Sequence, residues 1–560
     1  MEHELTGGRV PRSLGKALPL GKAMRLNARS EAYDIATVLL LAVLVVIVLL
    51  TFKDYAISND EGIQHHYGEL IIAYYRSGFR DLDVFNFQNL YLYGGLFDIL
   101  AVTLSQLVPV DPYDLRHILC AMIGIGGIGA AALTARMIAG PRAALIAAIA
   151  LSVCGVWYGA MFNHTKDIPF AAAMMGATLF LVRIARSLPS PRMVDLAAFG
   201  MLTGAALGVR VMGLLLIVYA GFVISLYLPW HDRCRARWQF AVESALRMLP
   251  ALILAYIIMI LAWPWAALAP LNPIRGLFEF SEFHYAIRTF LDGRIYEMAN
   301  VPPSYVPIYI LIRVPLMMLF GAALAVLFLL LPVLVTNKMQ QRRRDIALVS
   351  FTVFLPLVCQ VIFRGPAFTG LRHFLFVLPA LAVLAAIGID AALSALAARG
   401  RTIVSCALAV ATGCFLWDAV TLARLHPYEY LFYNQLVGGL EGASRRYDLD
   451  YWFSSMPEAL GQLESYLRET STGDASWPKQ VYSVAVCGER LEFNKAVTLP
   501  QLRFDFKPQW SQSEFFIAPT HMNCDGDLDG KVVGTVTRLG VPIAFIKDRR
   551  GLTSNVSALK

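Results

Sequence analysis

Charged residues are scarce in this sequence. Asp, Glu, Lys and Arg together make up 16% of its 560 residues, whereas soluble domains carry about 25%. Cysteine is also sparse, at eight residues, and no Cys-x-x-Cys or His-Glu-x-x-His spacing is present. These absences remove the usual sequence signs of a zinc site. Internal repeats are absent as well, which excludes solenoid and propeller architectures.

Long apolar runs take the place of charge, since hydrophobic residues reach 57% and the mean hydropathy is +0.57. A helix crosses a bilayer with roughly 20 apolar residues. The runs predict a polytopic α-helical membrane protein with about eleven transmembrane helices, at 35–51, 115–138, 143–161, 168–186, 194–209, 211–229, 247–265, 305–335, 346–363, 373–396 and 402–422. The moderately apolar stretch 91–108 is interrupted by Asp98 and Gln106, so we expect a helix lying along the outer surface.

Basic residues sit in the short loops between these runs, which is typical of membrane topology rather than of a nucleic-acid partner. They orient the chain with a cytoplasmic tail at 1–34, a first periplasmic loop at 53–113 and a second large periplasmic loop at 266–304. The first run is too long for a signal peptide and is expected to stay as an anchor. The sequence therefore predicts a multi-pass protein of the inner (plasma) membrane, with a transmembrane domain at 35–423.

The tail, residues 424–560, has ordinary soluble composition and is predicted to be a small periplasmic α/β domain. Residues 455–469 have helical spacing, and 481–488, 514–520 and 531–539 have the composition of strands. No Gly-rich phosphate loop or catalytic-triad spacing stands out in it. Cys487 and Cys524 are compatible with a disulfide if the tail is extracytoplasmic, and two cysteines alone do not decide the pairing.

Adjacent acidic residues follow the first transmembrane run, in the segment SNDEGIQHHYGE at 58–69. Asp60 or Glu61, beside His65, has the chemistry of a general base for an acceptor hydroxyl, and the pair could help hold a divalent cation. The competing interpretation is a solvated loop in which Asp60 begins a helix.

A second acidic residue, Asp167, lies at the outer end of another run, in NHTKDIPF at 163–170. Ionisable residues at membrane depth are costly, and they are functional candidates for that reason. Lys166 and His164 flank it on the same face. The alternative is a pair of interface residues, Lys166 and Asp167, that neutralise each other.

Arginines are predicted on this outer face too. Arg210 interrupts an otherwise apolar region, and Arg364 and Arg372 lie near the ends of runs, with His373 next in the chain. Arginine binds phosphate through a forked, permanently charged group. Helix-end snorkelling is the alternative for Arg364 and Arg372. In the loop 266–304, Phe280, Phe283, Ile287 and Phe290 have helical spacing, which predicts a surface helix or an interfacial aromatic belt.

The order of these elements resembles the GT-C glycosyltransferases, in the branch of the protein O-mannosyltransferases and the lipid A aminoarabinose transferases. The motifs that carry the resemblance are the acidic pair Asp60–Glu61, DLRHILCAMIGIGG with Arg116, KDIPF with Asp167, GAALGVR with Arg210, and RHFLFVLP from Arg372 to Pro379. Each motif is short, and it is their order and common side that are distinctive. The resemblance covers about residues 35–422.

The resemblance implies a GT-C-like fold and an inverting transfer of a hexosyl or pentosyl group. The donor would be a polyprenyl-phosphate sugar, and the acceptor a glycolipid, polysaccharide or protein. Asp60 would be the base, Asp167 would position the acceptor or a metal, and Arg210 and Arg372 would hold the lipid phosphate. Lysine often stands in the family where this chain has Arg210.

The principal alternative is a transporter or flippase of lipid-linked sugars. Such proteins are expected to show internal symmetry and broken helices at the membrane midplane. In this sequence the polar groups gather at one face instead. A structural subunit scaffolded by its tail is a third interpretation.

Overall fold

The structure is a computed structural model, and it describes residues 20–281, 287–331, 337–365, 367–470 and 480–552. The membrane part is helical. Its helices are α1 Leu20–Thr51, α2 Asn59–Arg76, α3 Leu96–Ser105, α4 Pro112–Ala139, α5 Pro141–Ser152, α6 Gly155–Asn163, α7 Asp167–Ala185, α8 Met193–Leu207, α9 Leu215–Tyr227, α10 Cys234–Ala262, α11 Pro264–Leu268, α12 Asn272–Ser281, α13 Tyr305–Arg313, α14 Leu316–Leu330, α15 Asn337–Phe363, α16 Leu378–Ala397 and α17 Arg401–Leu425.

Within the described residues, seven helices are long and apolar enough to cross a membrane, and nine if each of two bent pairs is one span. The bent pairs are α5 with α6, at 66°, and α13 with α14, at 115°. The predicted runs 194–209 and 211–229 are helical but shorter than a full span. The fold class is therefore confirmed, and the count of eleven transmembrane helices stays a prediction.

A proline lies at one bend, and glycines that face the tail follow the other. Pro315 follows α13 and cannot continue its hydrogen-bond ladder, so the chain turns there. In α6, Gly155 and Gly159 face the chain that leaves α17: a Cβ on Gly159 would lie 2.3 Å from the backbone nitrogen of Tyr430. Only glycine permits this approach, and it brings the end of α6, with His164 after it, against the start of the tail.

Burial separates an interior helix from the peripheral ones. Nearly all side chains of α16 are buried, whereas α1 and α17 expose most of theirs, as lipid-facing helices do. Helix α1 begins at Leu20 rather than at residue 35, so the last part of the predicted tail 1–34 is helical, and residues 1–19 lie outside the described residues. The stretch 91–108 contains only the short helix α3, consistent with its not being a full span.

The second loop, 266–304, differs from the prediction. It contains α12 and a hairpin of β1 Arg288–Leu291 and β2 Arg294–Glu297. Phe290 lies in a strand rather than on a helical face, and its backbone nitrogen donates to Asp448 at 3.1 Å. Phe283 lies outside the described residues. This tertiary hydrogen bond and the strand pairing override the local helical spacing.

The tail is an α/β unit, as predicted. Its helices are α18 Gly439–Ala443, α19 Met456–Thr470 and α20 Arg490–Ala496, and its strands are β3 Tyr482–Val486, β4 Leu502–Asp505, β5 Phe515–Pro519, β6 Lys531–Arg538 and β7 Val541–Asp548. The sheet order is β4-β3-β5-β7-β6, parallel from β4 to β5 and antiparallel from β5 to β6. Strands β4 and β7 and helix α20 were not predicted. Cys487 and Cys524 form a disulfide.

Candidate active site

The acidic end of the site is built on the start of α2. Ser58 is the N-cap residue, and its backbone nitrogen donates to Glu61 Oε2 at 2.8 Å, in a capping box that fixes the first turn. Nε2 of His117 lies 3.1 Å from the other oxygen of Glu61. Glu61 is thus fully buried and committed to the helix start. The same turn leaves Asp60 pointing toward the basic residues.

Four charged side chains form an alternating chain of ion pairs. Arg372 contacts Asp60 through Nη2, and its Nε donates to Asp167 Oδ2 at 3.1 Å. Arg210 binds the other oxygen of Asp167. The four residues come from α2, α7, the segment after α8 and the segment before α16, so the helical bundle assembles a cluster that the sequence scatters. We call these four residues the charged cluster.

Exposure divides the charged cluster. The side chains of Asp167 and Arg372 are nearly inaccessible, at 3% and 6%, while that of Asp60 is 27% exposed. A buried pair of this kind needs its partners, because an unpaired charge in a low-dielectric surrounding is very costly. Asp60 is therefore the more accessible carboxylate of the charged cluster.

His164 and Lys166 border the charged cluster in the turn before α7. The ring of His164 stacks on that of Tyr451 at 3.7 Å, and Nζ of Lys166 lies 3.9 Å from the centre of the Tyr93 ring. Burial lowers the pKa of His164 to about 3 and that of Lys166 to about 8. His164 is consequently neutral at physiological pH, and Lys166 is a cation that loses its proton more readily than a solvated lysine.

An apolar cavity of about 290 Å³ reaches the charged cluster at Arg210. Arg210 and His373 line it together with apolar side chains, among them the aromatic rings of Phe170, Phe368 and Phe376. The His373 ring packs edge-on against Phe368 at 4.6 Å. An apolar cavity that reaches the guanidinium of Arg210 suits an amphiphile that has an anionic head and an apolar chain.

Other predicted residues lie outside this arrangement. Arg116 is fully buried and pairs with Asp98 at 2.7 Å, so it braces α4 against α3. Its Nη2 also donates to Thr165 Oγ1 at 3.0 Å, next to Lys166. His65 is on α2, one turn beyond Asp60, 3.8 Å from Glu69 and beside Tyr113, and burial lowers its pKa. Arg364 is exposed, and it does not line the cavity.

The tail contributes residues that sequence reasoning missed. Segment 448–452, DLDYW, covers the charged cluster: the guanidinium of Arg372 lies 5.6 Å from the Tyr451 ring and 5.8 Å from the Trp452 ring. Asp450 is buried and accepts hydrogen bonds from Tyr430 and Ser454, both at 3.1 Å. The sequence did offer a signal for this segment: it has two acidic and two aromatic residues within five positions, next to the membrane domain.

Arg313 and Asp448 complete the surroundings. Asp448 is buried and accepts hydrogen bonds from Tyr305 at 3.1 Å and from Tyr309 at 3.3 Å. The hydroxyl of Tyr305 accepts one from the backbone nitrogen of Gly370 at 2.9 Å, two residues before Arg372. Arg313 donates to the Tyr433 hydroxyl at 3.0 Å. These contacts fix the loop that carries Arg372.

Asp60 and Asp167 were the candidate ligands for a divalent cation. In this structure the guanidinium of Arg372 binds both carboxylates, and a divalent cation at Asp60 and Asp167 stays a prediction. Among the described residues, three cation-binding side chains come together at Cys487, Cys524 and Asp527, where both sulfurs are in the disulfide. No catalytic step is assigned to a metal.

Searches with protein-family models and among curated proteins find no match for this chain. Solved structures do match. A crystal structure of ArnT from Cupriavidus metallidurans bound to undecaprenyl phosphate has 15% identity and a TM-score of 0.48, covering 91% of this chain and 97% of that one. The Archaeoglobus fulgidus oligosaccharyltransferase in its apo form has 13% identity and a TM-score of 0.45, covering 84% and 64%.

A third match is arabinofuranosyltransferase AftD from Mycobacteria, with 12% identity and a TM-score of 0.39, covering 91% of this chain and 41% of that one. The chain is similar to these proteins in architecture, and the roles of its residues rest on its own geometry.

Proposed function

We propose that this protein is a membrane glycosyltransferase that moves a sugar from a polyprenyl-phosphate donor to an acceptor on the periplasmic face of the inner membrane. The single observation that carries the proposal is the apolar cavity that reaches the charged cluster at Arg210. The cavity can hold an apolar chain and the guanidinium of Arg210 can bind a phosphate. Both lie within reach of the solvent-facing carboxylate of Asp60.

The donor phosphate has a defined place in this arrangement. Arg210 lines the cavity, and Arg372 follows through their shared partner Asp167. Both guanidiniums are held by carboxylates before the donor arrives, so they are oriented in advance and need little reorganisation. Lys166, with its cation over Tyr93, adds positive charge on the same side. These groups stabilise the phosphate as it leaves.

Asp60 has the role of general base. In the resting arrangement its carboxylate is neutralised by Arg372. When the donor phosphate binds Arg372, the ion pair of Arg372 with Asp60 breaks, and Asp60 can accept the proton of the acceptor hydroxyl. The hydroxyl oxygen then forms a bond to the anomeric carbon, and the bond from that carbon to the phosphate oxygen breaks, with its electron pair leaving on the phosphate. Attack opposite the leaving group inverts the configuration.

The acceptor is a glycolipid, a polysaccharide or a protein, and it approaches from the solvent side of Asp60. His164 does not supply a proton, because burial lowers its pKa to about 3. Its ring instead stacks on the ring of Tyr451.

Purified protein in vesicles is tested with a panel of radiolabelled polyprenyl-phosphate sugars and with membrane extracts as acceptors. The proposal predicts that label moves from the lipid to the acceptor with at least one donor. Translocation of a labelled lipid across the vesicle without transfer would instead assign a transporter. If the full panel gave no transfer and no translocation, the result would contradict both activities.

A further inference from the structure

The tail reaches the acidic end of the site through helix α20 as well as through segment 448–452. Glu492, in α20, is 5% exposed. The side-chain amide of Asn59 donates to its two carboxylate oxygens, at 2.9 and 2.5 Å, and to the backbone carbonyl oxygen of Trp452 at 3.2 Å. The amide takes this orientation because the opposite one would face its oxygen to acceptors only. Asn59 immediately precedes Asp60 in the first turn of α2.

Packing at this contact is close. A Cβ added to Gly62 would lie 2.5 Å from Leu491 Cδ2, so the first turn of α2 and the first turn of α20 touch without intervening solvent. Glu492 Oε2 also accepts a hydrogen bond from the backbone nitrogen of Glu489 at 3.3 Å, which orients its carboxyl group. Glu492 therefore links the start of its own helix, the start of α2 and the chain at Trp452.

The two ends of the charged cluster meet the same part of the tail. Asn59 is bound by Glu492 and by the Trp452 backbone, and the Trp452 ring lies 5.8 Å from the Arg372 guanidinium. A shift of α20 would thus move Asp60 and the cover of Arg372 together. The distance between the proton acceptor and the phosphate-binding groups depends on this docking.

We propose that Glu492 is a positioning residue for Asp60: by binding Asn59 it fixes the first turn of α2, so that docking of the C-terminal domain completes the site. This inference rests on the proposed function, because the carboxylate that it positions is the base of that reaction. It assigns the tail a part in catalysis without contact with the reacting atoms.

The charge state of Glu492 guides the choice of variants. Burial, together with the nearby carboxylates of Glu489, Glu61 and Asp60, raises the pKa of Glu492 well above its usual range. Glutamine has the shape of a protonated glutamate and keeps one of the two oxygens to which Asn59 donates. Glu492→Gln is therefore the conservative variant, and Glu492→Ala removes the contact.

Lys495 offers a matched control. It lies on the same short helix, three residues beyond Glu492, and its Nζ binds Asp111 Oδ2 at 2.6 Å, so Lys495→Ala also removes a contact between the tail and the membrane domain. It does not touch the first turn of α2. Any general loosening of the docked domain should appear in both alanine variants.

Full-length wild type, Glu492→Ala, Glu492→Gln and Lys495→Ala are compared in vesicles for kcat and donor KM, and for hydrogen exchange at the amides of residues 61–65. We expect Glu492→Ala to lower kcat by about ten- to a hundredfold with donor KM unchanged, since small misplacements of reacting groups cost this much. Glu492→Gln should restore most of the rate. Exchange in the first turn of α2 should rise in Glu492→Ala alone.

An equal loss of kcat in Lys495→Ala would overturn the proposal, as would unchanged kcat and unchanged exchange in Glu492→Ala. The exchange measurement needs no substrate. If wild type transferred no sugar while Glu492→Ala still raised exchange only in this turn, the contact would stand and the proposed function would fall.

Discussion

Asp60 and Arg372 form an ion pair across 312 residues of sequence. Because Arg372 also binds Asp167, one guanidinium neutralises two carboxylates in the resting site. A phosphate that competes for Arg372 frees the more exposed carboxylate, which is Asp60. In the proposed reaction, binding of the donor and activation of the acceptor are in this way one event, and the predictions for Arg210 and Asp60 depend on it.

Replacing Arg210 tests the phosphate site. Arg210→Gln should raise donor KM by about thirtyfold, which corresponds to the roughly 2 kcal/mol of a charged hydrogen bond. Arg210→Lys keeps the charge and should lose less. Steady-state kinetics with a defined polyprenyl-phosphate sugar measure both effects, and Arg294→Gln, at an exposed arginine of β2, controls for a change of surface charge. An unchanged KM in Arg210→Gln would remove this residue from the donor site.

Glu61 and Asp60 are adjacent, and their substitutions should separate stability from catalysis. Glu61→Gln keeps an acceptor for the Ser58 nitrogen but removes the charge beside His117. A buried partner left unsatisfied costs about 1–3 kcal/mol. We therefore expect a lower thermal unfolding temperature with kcat close to wild type. A loss of kcat at full stability would instead make Glu61 a direct participant.

The disulfide should stabilise the tail. Cys487 and Cys524 are 37 residues apart in sequence, and a loop of this kind typically adds about 2–4 kcal/mol. Cys487→Ser should lower the unfolding temperature of the domain, and reductant should lower that of wild type but not of the variant. Disulfides persist in oxidising compartments. Because six other cysteines of the chain are free, labelled peptides are identified by mass, and labelling of Cys487 or Cys524 by maleimide without reduction would contradict the pairing.

His426 should make stability depend on pH. It lies just after α17, and hydrogen bonding to Glu429, with Asp54 on its other nitrogen, raises its pKa. A group whose pKa is raised on folding stabilises the protein below its unfolded pKa, about 6.5 for histidine, and this contribution is lost as pH rises through the folded pKa.

Thermal unfolding of wild type and His426→Gln in detergent at several pH values measures this contribution. Wild type should lose stability relative to the variant as pH increases above about 6.5, the unfolded pKa of histidine. A difference that stays constant across the range would mean that folding does not raise the pKa of His426.

Elements of the fold were predictable to different degrees. The apolar runs located the seven membrane-length helices of the described residues because bilayer thickness sets their length. The bend within the run 305–335 was not predicted. Strand β4 has only four residues and pairs with a strand twenty residues away, so local composition hardly marks it. Phe290 had helical spacing and became a strand residue through Asp448.

The residues of the site were also predictable to different degrees. Asp60, Asp167, Arg210 and Arg372 were predictable because charge in apolar surroundings demands a reason, and the structure brings all four into contact. Nothing in the sequence said that Arg116 pairs with Asp98, or that Tyr451 and Glu492 of the tail would meet this cluster. The contacts of Tyr451 and Glu492 arise from docking of the tail, and the pair of Arg116 with Asp98 arises from the packing of α4 against α3; no local pattern marks either.

Asp60→Asn tests the central claim most directly. Asparagine keeps the shape of the side chain and a hydrogen bond to Arg372, but it cannot take the proton from the hydroxyl group of the acceptor. With a donor that wild type uses, we predict a fall in kcat of about 10²–10⁴-fold, the usual contribution of a general base, at a nearly unchanged unfolding temperature and with a donor KM no higher than that of wild type, because asparagine competes less for Arg372 than the carboxylate does. Transfer at the wild-type rate by Asp60→Asn would contradict the assignment of Asp60 as the base.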